Sequence, residues 1–543
     1  MSPLRRRRLL TLTGALAATA CVPPGSTRTS PSPAASAETA PMSIDERVGQ
    51  LMTVAFHGKR ITPHLESLIR QRHVGGVIVF AENVGDATEL KALTSDLQRI
   101  AREAGARPLF ISIDHEGGSV IRVARGLTVL PGAMALAATR DPVASVERAS
   151  AIAALELRAA GVTWDLAPVA DVNDEPKNAV LLNRSFGSDP KRVGELAAAW
   201  VRSHARSGVL SCAKHFPGHG STTVDPHTGL PDLTHDRARL DRIELVPFRA
   251  AIAAGVPTIM TAHIVMKAID ADQPATLSAK VLEGILRKDL GFDGVIVTDD
   301  LEMDALQTFG SQPDVAVRAI AAGADHALFR FDEEAQKAGH RMLVEAFTSG
   351  RIPIARLDSA LRRVLAAKAW QASAAQGETK PDSAANAAVA NDLARQAVTL
   401  LRNEGVLPLR GRILAVAVDR PDITLLPDTL AIGDALRERG ASVTPLAAPQ
   451  RPTASQIASA IAAARSADVV VITTADLQAN PQQAELVRSL VATRPTALVS
   501  LRSPYDALAV PAIPAYVCAY YGRASAVNAI ADVLVGKVTP QGR

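Results

Sequence analysis

From residue 44 onward, short apolar runs alternate with longer stretches of helical periodicity. The runs cover residues 51–56, 75–80, 109–114, 162–167, 209–214, 258–263, 295–299 and 326–329. Between most of them the apolar positions recur every three or four residues, as at 142–160 and 192–207. That spacing places them on one face of a helix. Strands alternating with helices imply right-handed βαβ units and a parallel sheet. Eight such units predict an α/β fold, a (β/α)8 TIM-type barrel over residues 43–370.

Residues 371–390 are rich in Ala, Ser and Asp, and 371–410 read as a linker with a connecting helix. A second α/β pattern follows over 411–543, with strands near 413–418, 469–473, 496–500 and 516–520. Helices near 430–439, 454–467, 484–492 and 524–535 separate or follow them. This predicts a smaller α/β/α sandwich domain. It contains no Gly-rich phosphate loop, so nucleotide binding has no support.

Reactive side chains collect at the C-terminal ends of the first eight runs: Asp114, Lys214, His215, His263 and Asp299. Barrel enzymes build their active sites on that face, because the βα loops converge there.

Composition narrows the class. With 47% apolar and 21% charged residues the chain reads as a soluble globular protein, and 3% aromatics with abundant Ala favour helix-rich packing. Arg5, Arg6, Arg7 and Arg8 account for the whole net charge of +4, so a chain lacking them is neutral and gives no case for nucleic-acid binding. Those arginines precede an apolar run at 9–20, which predicts an export signal over residues 1–21. Ala18-Thr19-Ala20-Cys21 resembles a lipobox, and 22–42 read as a disordered tether. The expected location is extracytoplasmic, as a lipoprotein anchored at Cys21 or as a secreted or periplasmic protein. Cys212 and Cys518 sit in apolar runs and read as buried, inert thiols.

The most informative segment is Lys214-His215-Phe216-Pro217-Gly218-His219-Gly220, followed by Asp225-Pro226-His227. Lys and His at a strand end can hydrogen-bond sugar hydroxyls. An Asp two residues from a His can orient the ring and stabilise its protonated form. A His titrating near neutrality can donate and accept a proton in one cycle. The loop's ligand-type residues admit a metal, but the spacings of known metal helices are missing and none is expected. In Gly294-Val295-Ile296-Val297-Thr298-Asp299-Asp300, a carboxylate at the top of a strand can attack an anomeric carbon. Alone, Asp299 reads equally well as a helix N-cap.

Taken together with Ile113-Asp114-His115-Glu116-Gly117-Gly118 and Leu182-Asn183-Arg184-Ser185-Phe186-Gly187, these segments resemble glycoside hydrolase family 3. More narrowly, they resemble its bacterial β-N-acetylglucosaminidase branch, the NagZ-type enzymes, in a two-domain form. The resemblance implies Asp299 as nucleophile, His227 as general acid/base and Asp225 as its partner. It implies Asp114, Arg184, Lys214 and His215 as holders of the terminal sugar, with Arg122 following in the same loop. It further implies a retaining exo-enzyme that removes terminal N-acetylglucosamine from peptidoglycan fragments or chitin oligomers, without cofactor, as a monomer. Residues 394–409 resemble the helix that opens the family's second domain. The chain departs from the family at His115, Ser119 and Pro226, where Gln, Arg and Ser or Thr are common.

Three alternatives stay open. A family 3 β-glucosidase or β-xylosidase would draw a Glu acid/base from the second domain. A phosphorylase would replace water with phosphate in the second step. A cell-wall-binding lipoprotein would keep the fold without the chemistry.

Overall fold

A computed structural model describes residues 42–178, 180–374, 381–419 and 431–543. The expected export signal and the tether up to residue 41 lie outside those residues.

All eight expected barrel strands form. They are β1 (Met52–Val54), β2 (Gly76–Val79), β3 (Phe110–Ile113), β4 (Trp164–Asp165), β5 (Leu210–Phe216), β6 (Thr258–Thr261), β7 (Val295–Asp300) and β8 (His326–Phe329). They pair in parallel in chain order, and β1 closes the barrel onto β8. β-branched runs such as Val77-Ile78-Val79 and Val295-Ile296-Val297 suit strands buried on both faces. Local sequence starts the surrounding helices. Asp86 caps Ala87–Glu103, and Asp189 followed by Pro190 opens Pro190–Ser207.

The barrel interior is filled. Phe110 packs on Trp164 with ring centroids 5.1 Å apart, and the His326 ring lies 5.8 Å from both. Trp164 Nε1–H donates to Thr258 Oγ1 at 2.9 Å, and Thr53 Oγ1 meets His326 Nε2 at 2.7 Å. Burial pushes the His326 imidazole down to about 3, so it is neutral in this core. At the opposite end from the reactive residues, buried Asp325 accepts from the Ile296 N–H at 3.0 Å and pairs with Arg287, Arg356 and Arg363. One carboxylate thus ties the N-terminal ends of β7 and β8 to helix Ile354–Ala374, which carries two of those arginines.

Among the described residues the second domain holds six strands rather than four. They are β9 (Thr399–Asn403), β10 (Arg412–Val418), β11 (Ser442–Ala448), β12 (Val469–Thr474), β13 (Thr496–Ser500) and β14 (Ala515–Cys518). Their order is β9-β14-β13-β12-β10-β11, with β9 antiparallel to β14 and the other neighbours parallel. The two strands missing from the sequence reading are the sheet edges. β11 is largely exposed and contains Pro445, which an edge tolerates and a central strand does not. β9 corrects the helix expected over 394–409: helix Ser383–Ala397 stops and the chain turns into a strand. Its pattern did not announce this, because β9 is defined by pairing with β14. The second domain therefore begins before the expected boundary at 411. Helix Ser383–Ala397 is held to the barrel by Arg148–Asp392 at 3.2 Å and by Asn386 Nδ2 donating to Glu156 Oε1 at 2.7 Å.

Removing the Asp325 carboxylate leaves three guanidinium groups facing one another with their shared counter-charge gone. Asp325→Ala should cost about 3–5 kcal/mol of stability, in the range for breaking buried ion pairs. Urea unfolding followed by circular dichroism measures this; an unchanged midpoint would refute the account.

Candidate active site

Five charged side chains line one wall of the barrel mouth. Lys214, near the end of β5, is buried and places Nζ 2.8 Å from Asp114 Oδ1 and 2.8 Å from Glu116 Oε1. Asp114 and Glu116 follow β3. Arg122 Nη2 reaches Asp114 Oδ2 at 2.9 Å, and Arg184 grips Glu116 with two bonds of 2.8 and 2.7 Å. Burial alone would raise both carboxyls. Lys214 and Arg122 overcome it at Asp114, which falls well below the usual carboxylate range. Arg184 and Lys214 overcome it at Glu116, which drops to about 2. The same two carboxylates hold the Lys214 ammonium above its ordinary value against its own desolvation. Three cations share two anions, so the wall carries surplus donors.

Asp299 is the next-to-last residue of β7, across the barrel from β3. Its Oδ1 accepts the Asp300 N–H at 2.8 Å. Desolvation pushes the Asp299 carboxyl up, but His215, His263, the Asp300 N–H and Lys214 together hold it below the ordinary value. His263, past the end of β6, sits between Thr276 Oγ1 at 2.7 Å and the Asp300 carbonyl at 2.9 Å. The neighbouring Asp300 is different: burial, reinforced by the Asp299 charge, lifts its carboxyl to about 7 against a hydrogen bond from Glu302 N–H.

The loop after β5 is organised by Asp171, a residue the sequence reading missed. Asp171 is buried, with Oδ2 2.7 Å from His215 Nδ1. Its oxygens also accept the backbone N–H of His215 at 3.1 Å and of His219 at 2.7 Å. Asn178 Nδ2 donates to the His219 carbonyl at 2.9 Å, and a Cβ at Gly220 would sit 1.6 Å from the Val172 carbonyl. The strand-end His215 and the root of the loop are thus fixed together.

At the loop's far end, Asp225 Oδ1 lies 2.8 Å from His227 Nδ1 and accepts its backbone N–H at 2.9 Å. This pair is exposed: the side chains keep 39% and 57% of their accessible surface. The loop is tied to the segment following Asp299, because the Pro226 carbonyl accepts Ala305 N–H at 3.1 Å. All eight expected site residues therefore stand on the C-terminal face, six around the mouth and two on the loop beside it. Glu116 and Asp171 were not singled out. Glu116 lay in a motif already noted, as the one further acid beside Asp114, while nothing in the spacing marked Asp171. Cys212 and Cys518 are buried thiols, as expected, with burial pushing both up to about 12.

Residues 43–367 match the glycosyl hydrolase family 3 N terminal domain, and residues 398–543 match the family's C-terminal domain. The chain belongs to glycosyl hydrolase family 3. Among similar proteins, the β-hexosaminidase A of Pseudoalteromonas piscicida is 36% identical over 399 residues, 67% of this chain and 65% of that protein. A β-hexosaminidase of Alkalilimnicola ehrlichii is 37% identical over 301 residues, 54% of this chain and 84% of that one. A solved family 3 β-N-acetylglucosaminidase from Paenibacillus sp. str. FPU-7 superposes with a TM-score of 0.88 at 37% identity, covering 93% of this chain and 98% of its own. The family boundary at 398 agrees with β9 opening the second domain.

Asp171→Ala removes the acceptor of three hydrogen bonds in a buried site. It should lower stability by about 2–4 kcal/mol, since each orphaned donor costs roughly 1–3 kcal/mol before relaxation. It should also release the loop root, raising amide exchange at His215 and His219. Exchange rates equal to the parent's would show that Asp171 does not hold the loop.

Proposed function

We propose that this family 3 enzyme is an exo-acting, retaining β-N-acetylglucosaminidase. Asp299 is its nucleophile and the Asp225–His227 pair its acid/base. One observation carries the assignment of roles: an Asp–His pair stands on a loop that hydrogen-bonds to the segment following an ionised strand-end carboxylate. The β-hexosaminidase relatives and the Paenibacillus β-N-acetylglucosaminidase support the sugar.

In the first step Asp299 attacks the anomeric carbon while protonated His227 gives its proton to the leaving oxygen. A glycosyl ester forms and the glycosidic bond breaks. In the second step neutral His227 takes a proton from water, whose oxygen attacks the anomeric carbon and frees Asp299. Asp225 keeps the imidazole oriented through Nδ1, leaving Nε2 for the substrate. Asp114, Lys214 and Arg184, with Arg122 and His215, bind the hydroxyls of the terminal sugar. His215 Nδ1 is engaged by Asp171, which leaves its Nε2 for that contact. The closed wall of charges suits a chain-end sugar.

A family 3 β-glucosidase reading needs a second-domain carboxylate at the mouth. Among the described residues, the second-domain segment 520–523, which hydrogen-bonds to the loops there, is Tyr-Tyr-Gly-Arg and carries none. With an export signal and a lipobox-like Cys21, the enzyme acts outside the cytoplasm on terminal N-acetylglucosamine of peptidoglycan fragments or chitin oligomers.

Asp299→Ala should reduce turnover by several orders of magnitude. His227→Ala should abolish cleavage of natural disaccharides, yet spare the first step on nitrophenyl substrates, whose leaving group needs no proton. Glycosyl-enzyme then accumulates, visible by mass spectrometry, and azide speeds its breakdown. Full activity of His227→Ala on a disaccharide would overturn the acid/base assignment.

The pH profile offers a second check. Asp299 is held below the ordinary aspartate value of about 3.9, so it stays ionised as pH falls and protonates only under stronger acid. Lys214→Gln removes one charge that keeps it ionised. The acidic limb of kcat/KM should then move to higher pH. A limb that stays in place, or moves to lower pH, contradicts the electrostatic account.

A further inference from the structure

Arg184 sits on a strained backbone turn that is held partly from within, by Arg184 N–H donating to the Leu181 carbonyl at 2.6 Å and Leu181 N–H to Asn178 Oδ1 at 3.0 Å, and partly from outside. It ends the single-turn helix Leu182–Arg184, and Leu182 has φ of +36°, a conformation that costs any residue with a Cβ. Within the barrel, Asn173 Nδ2 restrains the turn by donating to the Leu182 carbonyl at 3.2 Å. The buried Asn183 side chain adds two further restraints. Its two amide hydrogens go to two different segments: Ser119 Oγ at 2.8 Å, on the loop that carries Asp114 and Glu116, and the carbonyl of Tyr520, in the second domain.

Tyr520 is strained as well, with φ of +66°. Among the described residues only His73, Leu182, Asp476 and Tyr520 combine a side chain with positive φ, and His73 is a helix C-cap. One of the four, Tyr520, thus bonds the residue that directly follows another, Leu182. The Tyr520 turn is anchored in its own domain by its hydroxyl, which donates to Thr399 Oγ1 at 2.8 Å. Three residues on, Arg523 is buried and directs Nε to the Gly118 carbonyl at 3.5 Å, on the same β3 loop. Strain of this kind persists where the surroundings over-determine it, and it concentrates at working sites.

We infer that the second domain splints the sugar-binding wall: the Tyr520 carbonyl, acting through Asn183, sets the position of Arg184 and the β3 loop. Asn183 and Tyr520 are positioning residues; neither reaches the sugar. The chain of contacts runs from Tyr520 through Asn183 to Arg184, then through the paired bonds to Glu116 and on to Lys214. Slack in that chain loosens the ground-state grip on the sugar hydroxyls. Asp299 hangs on other supports, and the Asp225–His227 loop is joined to this turn through Asn178, which does not depend on the Asn183–Tyr520 contact, so the chemical step is preserved. This inference rests on the reading of the mouth as an N-acetylglucosamine site.

The test is steady-state kinetics of the full chain on 4-nitrophenyl N-acetyl-β-D-glucosaminide. Asn183→Ala should raise KM by about tenfold with kcat within about threefold, the pattern of lost uniform binding. Tyr520→Phe keeps the carbonyl but loses the Thr399 anchor, so KM should rise by about threefold, with no group near the sugar altered. Ser119→Ala disturbs only the bond inside the barrel and should cost less than Asn183→Ala. The splint is overturned if Asn183→Ala and Tyr520→Phe leave KM unchanged. A fall in kcat at constant KM overturns it too, as does a Ser119→Ala effect equal to that of Asn183→Ala with Tyr520→Phe silent. Parent enzyme that cleaves only the glucoside sinks the sugar assignment instead, and the same variants are then compared on the glucoside.

Discussion

The barrel mouth depends on a buried ammonium. Lys214 is almost inaccessible, and a charge taken out of water is tolerated only when paired and hydrogen-bonded. Its partners, Asp114 and Glu116, come from the next-but-one strand and arrive only if the β3 loop folds inward. Those carboxylates need Arg122 and Arg184 in turn. The satisfaction of one ion therefore dictates the course of two loops. The result is a wall rich in fixed donors, whose charge state does not change near neutral pH. Such a wall can bind hydroxyls without reorganising at each turnover.

The groups proposed for proton transfer are built on the opposite principle. Asp225 and His227 are open to water, tied to the segment after Asp299 by one backbone bond, and carried on a loop whose root is clamped by Asp171. A residue that must give a proton to the leaving group and later take one from water has to admit both. Burial in the manner of Lys214 would lock one state. Asp299, the proposed nucleophile, lies between these regimes: desolvated, yet held below the ordinary carboxylate value by His215, His263 and Lys214. Asp300, adjacent in sequence, is lifted to about 7 by burial and the Asp299 charge, which the Glu302 N–H and Arg330 at 3.6 Å do not offset. Two neighbouring aspartates thus carry different charge near neutrality, for reasons of surroundings alone.

The second domain belongs to the same logic. The ion network fixes the charged tips of Glu116 and Arg184, but tips are only as well placed as the backbone beneath them. That backbone is strained at Leu182 and is held from outside. A domain can matter to a mouth built on another domain by carrying part of that restraint.

The sequence by itself determined the eight barrel strands, the face that bears the chemistry and six of the residues around the mouth. Periodicity and β-branched runs are local signals, and a parallel sheet buried on both faces leaves few other ways to hide them. It also marked Asp225 and His227, because a two-residue spacing nearly guarantees contact. Tertiary structure alone decided the rest. Asp171 carries no local signature; it matters because the chain returns 44 residues later to place His215 on it. Strand β9 looked helical and became a strand because β14 offered an edge. The meeting of Asn183 with Tyr520 joins residues 337 apart, and no pattern of either segment encodes it. Local sequence fixes what a segment is; which ions and edges lie opposite it is a property of the closed fold.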